Sequence, residues 1–249
     1  MITFATVLIA KIKFKMNKSP QIVLVTGGSS GIGLALAELL SSRNSVYVAS
    51  RSSESLSQLK VNHIAYDATS DELDVSQLPD NLHGFVYCPG SINLRPFKGL
   101  KTEAFINDFE LNVIGAVNAL KSVLNLLNAS GNASVVFFST VAVQTGMPFH
   151  SSVAASKGAI EGLTRSLAAE FAPKIRVNAI APSLVDTPLA SKFLNNELKL
   201  EKANERHPLG RVGNAQEIAK ATAFLLGEES GWMTGNIVQL DGGIGNLKT

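Results

Sequence analysis

The chain has 249 residues, 45% of them hydrophobic and 17% charged, enough for one large α/β domain and too apolar for a disordered chain. A net charge of +2 supplies no basic field for nucleic acid, and four dispersed histidines (His63, His83, His150, His207) show no metal-ligand spacing. The lone cysteine, Cys88, excludes an internal disulfide framework and a thiolate metal cluster, and fits a reducing cytoplasm.

The opening "MITFATVLIAKIKFK" is too short an apolar run for the roughly 20 residues of a membrane span. Its charges follow the apolar stretch, the reverse of a signal peptide. Residues 1–15 are therefore expected to be a poorly ordered extension, with an edge strand or membrane-touching arm as alternatives, and residues 16–249 a single domain without a membrane association.

From residue 21, short β-branched runs alternate with helical patterns. "IVLVTG" reads as a buried strand and "IGLALAELLSSR" as the helix after it. Between them lies "TGGSSGIG", in which Gly27 permits a tight turn while Gly31 and Gly33 let backbone and helix start approach a pyrophosphate. A second strand, "SVYVAS", ends at Ser50 and Arg51. An acid there would select the ribose hydroxyls of NAD; a guanidinium instead pairs with a 2′-phosphate, unless Arg51 is only a solvated loop residue. A third strand, residues 61–67, ends at Asp67, suited to an adenine amino group or to capping the next turn.

A fourth strand covers residues 84–90, and one long helix is expected over "EAFINDFELNVIGAVNALKSVLNLLN". Then follow a strand at 133–140, a helix at 151–171, a strand at 175–182, a helix near 215–226 and a strand at 236–243. Ser151 and Ser152 are N-cap candidates for the helix at 151. Residues 189–210 read as a helical lid that selects substrate. Near-continuous apolar strands separated by helices mean a parallel sheet covered on both faces, a Rossmann-like, doubly wound α/β fold of about seven strands. Ligands of such sheets bind beyond the carboxyl ends of the strands.

Together these residues resemble the short-chain dehydrogenase/reductase family from about residue 22 to 243. "TGGSSGIG" matches its TGxxxGxG motif, "LNVIGA" its catalytic asparagine segment, and "RVNAIAPSLVDTP" the segment after its sixth strand. The resemblance implies an NAD(P)-dependent oxidoreductase, a homodimer or homotetramer, with an Asn–Ser–Tyr–Lys tetrad. It places Asn112 and Lys157 in the asparagine and lysine roles and Thr140 (beside Ser139) at the serine. It assigns the cofactor to Gly27, Ser29, Gly31, Ile32, Gly33, Arg51, Asp67, Ala68, Gly90, Lys157, Pro182, Val185 and Thr187, with NADP(H) favoured over NAD(H) because of Arg51.

The departures fall at the chemistry. Tyr-x-x-x-Lys is "VAASK", so Val153 stands where the tyrosine would, and valine donates no proton. NNAG is "YCPG", and the usual Pro-Gly is Pro182–Ser183. His150, three residues before Val153 and seven before Lys157, shares their helix face, and an imidazole is a chemically plausible proton donor one turn away. Lys157 through water, or Thr140 and Ser139 as polarising hydroxyls, are the other candidates. Three functions follow: an NADP(H)-dependent oxidoreductase acting on a small carbonyl or alcohol with a relocated acid; a dinucleotide-binding sensor or scaffold without turnover; or a dehydration or double-bond reduction in the same fold.

Overall fold

A computed structural model describes residues 20–248, so the expectation for residues 1–15 lies outside the described part. Among the described residues, seven parallel strands form one sheet: β1 (Ile22–Thr26), β2 (Ser45–Ser50), β3 (Asn62–Ala65), β4 (Gly84–Tyr87), β5 (Ala133–Phe138), β6 (Ile175–Pro182) and β9 (Ile237–Leu240). Two two-residue strands, β7 (Val185–Asp186) and β8 (Gly213–Asn214), pair beside it. The spatial order is β3-β2-β1-β4-β5-β6-β9. β1 pairs with both β2 and β4, in registers Val25↔Val48 and Val25↔Val86. The chain thus winds away in opposite directions on either side of β1, and a crevice opens at the strands' carboxyl ends.

Strand alternation builds two cores. Leu24, Phe85, Val135, Phe137 and Val177 point to the face covered by α3 (Gly115–Ser130) and α5 (Ser151–Phe171), meeting Leu120, Val123, Leu127 and Ile160. Their strand neighbours Val23, Val25, Val86, Val136 and Ile180 point to the opposite face. There they meet Leu36 of α1 (Gly31–Ser41) and Ile218 and Leu225 of α8 (Ala215–Leu226). Each such side chain withdrawn from water stabilises the fold by about 1.5–3 kcal/mol before entropy is subtracted. Every residue of β4 and β5 is buried, as strands sandwiched between helical layers must be.

Local signals set the helix ends. Asn214 and Glu217 form a reciprocal capping box at the start of α8. Gly131, at φ +72°, closes α3 in the left-handed conformation. The long helix expected from residue 103 is interrupted: α2 (Thr102–Phe109) passes through a π-helical turn, Glu110–Ile114, before α3. Hydrophobic periodicity is nearly blind to one extra residue per turn, which explains the difference. The strands expected at 61–67, 84–90 and 133–140 are shorter in the structure, because their last residues leave the ladder to line the crevice, and the one expected at 236–243 spans Ile237–Leu240. Among the described residues, no helix is long and apolar enough to cross a membrane.

Candidate active site

A cavity of ≈ 1120 Å³ runs along the carboxyl ends of the strands. Its nucleotide end is made chiefly of backbone. Gly27 (φ +69°) turns the chain out of β1, and its amide is tied back to Ala49 O at 2.8 Å. A Cβ on Gly33 would collide with Gly27 O, so only glycine lets α1 start this close to the turn. Ser30, at the N-cap of α1, makes no side-chain capping bond, which leaves the first-turn amides open for an anion. Ser29, Gly31 and Ile32 line the same wall, and Thr187, beside Gly31, faces them with Val185 and Pro182.

Arg51 and Asp67 line the far end, at the tips of β2 and β3. Asp67 Oδ1 accepts from Thr69 N (3.0 Å) and Thr69 Oγ1 (2.7 Å), so the turn-capping role anticipated for it is real. These hydrogen bonds, helped by nearby Arg51, hold the carboxyl below its ordinary range. Ala68 follows it on the wall.

The other end of the cavity carries side-chain chemistry. His150, Val153 and Lys157 all line it, as their helical spacing predicts. Lys157 is 8% exposed, and its ammonium makes no hydrogen bond to another described residue. Burial lowers its pKa to about 8, while Cys88 and Asp108 oppose that shift. Asn112 lies one layer deeper, fully buried in the π-helical turn rather than on the cavity wall. Its Nδ2 donates to Ser91 Oγ (3.0 Å) and Ser156 Oγ (3.1 Å), and its buried Oδ1 has no partner. A Cβ built on Gly90 would lie 3.2 Å from Asn112 Oδ1 and 3.4 Å from Lys157 Nζ, so both atoms converge over that glycine.

The two candidate hydroxyls separate cleanly. Ser139 Oγ donates to Glu161 Oε1 at 2.8 Å and is committed to α5. Thr140 Oγ1 accepts from Ala142 N at 3.3 Å, leaving its own proton for a ligand in the cavity it lines. His150 Nδ1 lies 2.8 Å from Pro148 O, and a carbonyl only accepts, so Nδ1 carries a proton and Nε2 is the exchangeable nitrogen. Phe149, just before it, sits at φ +71°, a costly conformation for an aromatic residue that turns the chain into α5. Val153 is 5% exposed and closes the wall between His150 and Lys157.

One local expectation is corrected. His150, not Ser151 or Ser152, holds the N-cap position of α5, with φ −98° and ψ 12° and no side-chain cap. Both serines lie within the helix, where helical backbone angles prevent a capping role, and Ser152 is fully buried. Several residues escaped the sequence altogether. Asp108, fully buried, accepts from Ser91 Oγ (2.5 Å) and Asn93 Nδ2 (2.7 Å) and completes the network around Asn112. His207, 5% exposed, meets Ser183 Oγ through Nε2 at 2.8 Å and Ala203 O through Nδ1 at 2.7 Å. The only sequence trace of that pair is the serine replacing glycine after Pro182; its histidine lies 24 residues further on.

The fold and this arrangement define a nucleotide-binding oxidoreductase class, and comparison with known proteins agrees. A family model described as Enoyl-(Acyl carrier protein) reductase matches residues 27–245. A tropinone reductase homolog of Arabidopsis thaliana is 33% identical over 239 residues, covering 89% of this chain and 91% of its own. A 2,5-dichloro-2,5-cyclohexadiene-1,4-diol dehydrogenase of Sphingobium indicum is 31% identical over 242 residues, covering 90% and 97%. The solved structure of ElxO with NADP bound superposes with a TM-score of 0.82 at 26% identity, covering 90% of this chain and 98% of that one. The chain belongs to the short-chain dehydrogenase/reductase family of oxidoreductases.

Proposed function

We propose that the protein is an NADP(H)-dependent oxidoreductase of a small carbonyl or alcohol, working in the cytoplasm as a homo-oligomer, with His150 supplying the proton that residue 153 cannot. The observation that carries this reading is one continuous cavity holding the glycine loop, Arg51, Lys157, Thr140 and His150. The residues fit a nicotinamide dinucleotide: uncapped α1 amides suit its phosphates, and the buried, unpartnered Lys157 ammonium suits ribose hydroxyls. When bound, that group supplies or accepts a hydride. Arg51 selects the phosphorylated form, and ElxO, similar in fold, is known with NADP bound. Exposed Ile106, Phe109 and Ile114, on α2 and the π-helical turn, give a second copy an apolar surface to cover.

The chain's own groups then divide the work. Thr140 donates its hydroxyl proton as a hydrogen bond to the substrate oxygen and holds the carbonyl in place. Lys157 holds the ribose side, and its positive charge stabilises negative charge developing on that oxygen. As the carbonyl carbon is reduced, the oxygen takes the Nε2 proton of the His150 imidazolium, leaving neutral histidine with Nδ1–H still donated to Pro148 O. Val153 keeps that wall dry.

Fluorescence titration with NADPH and NADH, followed by single-turnover NADPH oxidation with an aldehyde panel, tests this. Arg51→Ala is expected to erase a preference for NADPH of about tenfold or more. His150→Ala is expected to lower the rate about 10²-fold with nucleotide binding intact. Nucleotide binding without turnover of any carbonyl would instead support the sensor reading, which the buried, apolar Val153 favours.

A further inference from the structure

We infer that the substrate is a negatively charged carbonyl compound, whose anionic group is held by a basic stripe on the lid helix. This rests on the oxidoreductase reading above and names the substrate class of the same site. The lid comprises α6 (Ser191–Leu194) and α7 (Glu197–Glu205), running on to His207. Lys199, Lys202, Ala203, Arg206 and His207 line the cavity, the i, i+3, i+4, i+7, i+8 pattern of a single helix face. Glu197, Glu201 and Glu205, spaced by four, occupy the other face and are absent from the wall.

Helix stability alone does not explain this segregation. At spacings of four, α7 and its continuation set like against like: Glu197 with Glu201, Glu201 with Glu205, Lys202 with Arg206. Each such pair is unfavourable on a helix surface, where alternating signs would stabilise. The orientation is also held. Ala203 and His207 are buried, and the Ser183–His207 hydrogen bond pins the end of the lid to the tip of β6.

The cations are not spent on protein acids. Lys199 Nζ donates to Lys192 O (3.0 Å) and Asn195 Oδ1 (2.8 Å), both neutral. Lys202 and Arg206 make no ion pair with another described residue. Arg95, on the loop after β4, lines the same cavity. Among the described residues, Asp67 is the one carboxylate lining the cavity, and it sits at the β3 edge, away from the lid. The glycine loop and Arg51 already serve the nucleotide's phosphates, so the lid's charge is left for the second ligand. A rim of one sign attracts an opposite charge and repels its own, and therefore discriminates as well as binds.

The test compares 4-carboxybenzaldehyde with methyl 4-formylbenzoate as substrates of the NADPH-loaded protein. The acid is expected to exceed the ester in kcat/KM by about tenfold or more, the scale of one hydrogen bond to a charged group. That ratio should fall toward one in the Lys202→Gln/Arg206→Gln protein and in high salt, but not in Glu201→Gln, on the outer face. Equal reduction of acid and ester by the unmodified protein would overturn the inference and leave the oxidoreductase reading standing. So would a double variant whose affinity for NADPH falls as far as its kcat/KM for the acid, because the stripe would then serve the cofactor. Bound NADPH with no oxidation by either aldehyde or by any member of the wider carbonyl panel would overturn the oxidoreductase reading itself.

Discussion

The two ends of the cavity are built from different materials. At the nucleotide end, contacts are offered chiefly by backbone, with Arg51 added at its far edge: the turn at Gly27, the glycine-backed start of α1, free amides. At the reaction end they are offered by side chains: Lys157, Thr140, His150, Ser183 and the lid's cations. On the resemblance read from the sequence, the first end matches the family pattern through "TGGSSGIG", and the second is expected to depart from it at Val153, Ser183 and the "YCPG" segment. A backbone site depends on every glycine that allows the close approach, so few changes are tolerated. A side-chain site can lose one group and gain another without disturbing the fold. On the function proposed above, cofactor binding and proton delivery are therefore separable, and the first can persist while the second is rearranged.

That contrast can be broken from either end. The largest effect is expected for Gly33→Val, whose side chain would be driven into Gly27 O and the adjoining backbone. NADPH binding measured by fluorescence should fall beyond about 10²-fold, with a lower melting temperature, whereas the reaction-end variants His150→Ala and Val153→Tyr should not do this. Next comes Val153→Tyr, which returns a phenol to the wall beside Lys157. Single-turnover rates should rise about 10²-fold if the missing acid limits the present enzyme. An unchanged rate would mean that His150, or another group, already delivers the proton fast enough.

The smallest effect concerns the buried ammonium. Burial places the folded pKa of Lys157 near 8, below its ordinary 10.5, so the folded protein gives up that proton before the unfolded chain does. Between those values the unfolded chain holds more protons, and this group's contribution makes stability rise with pH across that window. Below about pH 8 the penalty for burying the charge is fully present. Subtracting the pH–stability curve of Lys157→Met from that of the unmodified protein should leave a rising difference from about pH 8 to about 10.5. Subtraction is needed because Cys88 and Tyr87, whose pKa values burial raises, pull stability the other way at high pH. A flat difference would show that the ammonium is not buried in solution.

Much of this was legible in the sequence because periodicity and glycine placement act locally. The alternation of β-branched runs and 3.6-residue patterns yields the sheet and its two helical layers. "TGGSSGIG" yields the phosphate end, and the spacing of His150, Val153 and Lys157 yields one lining face. Strand register and long-range pairing are not local, and neither are the groups they bring together. The π-helical turn that buries Asn112, the commitment of Ser139 to Glu161 that leaves Thr140 for the cavity, and the meeting of Ser183 with His207 across 24 residues each depend on which elements pack side by side. The basic stripe of α7 shows the division most plainly. Its residues and their spacing are written in the chain, but only the burial of Ala203 and His207 and the Ser183–His207 hydrogen bond turn that face inward, because a helix's orientation is set by the partners that bury it.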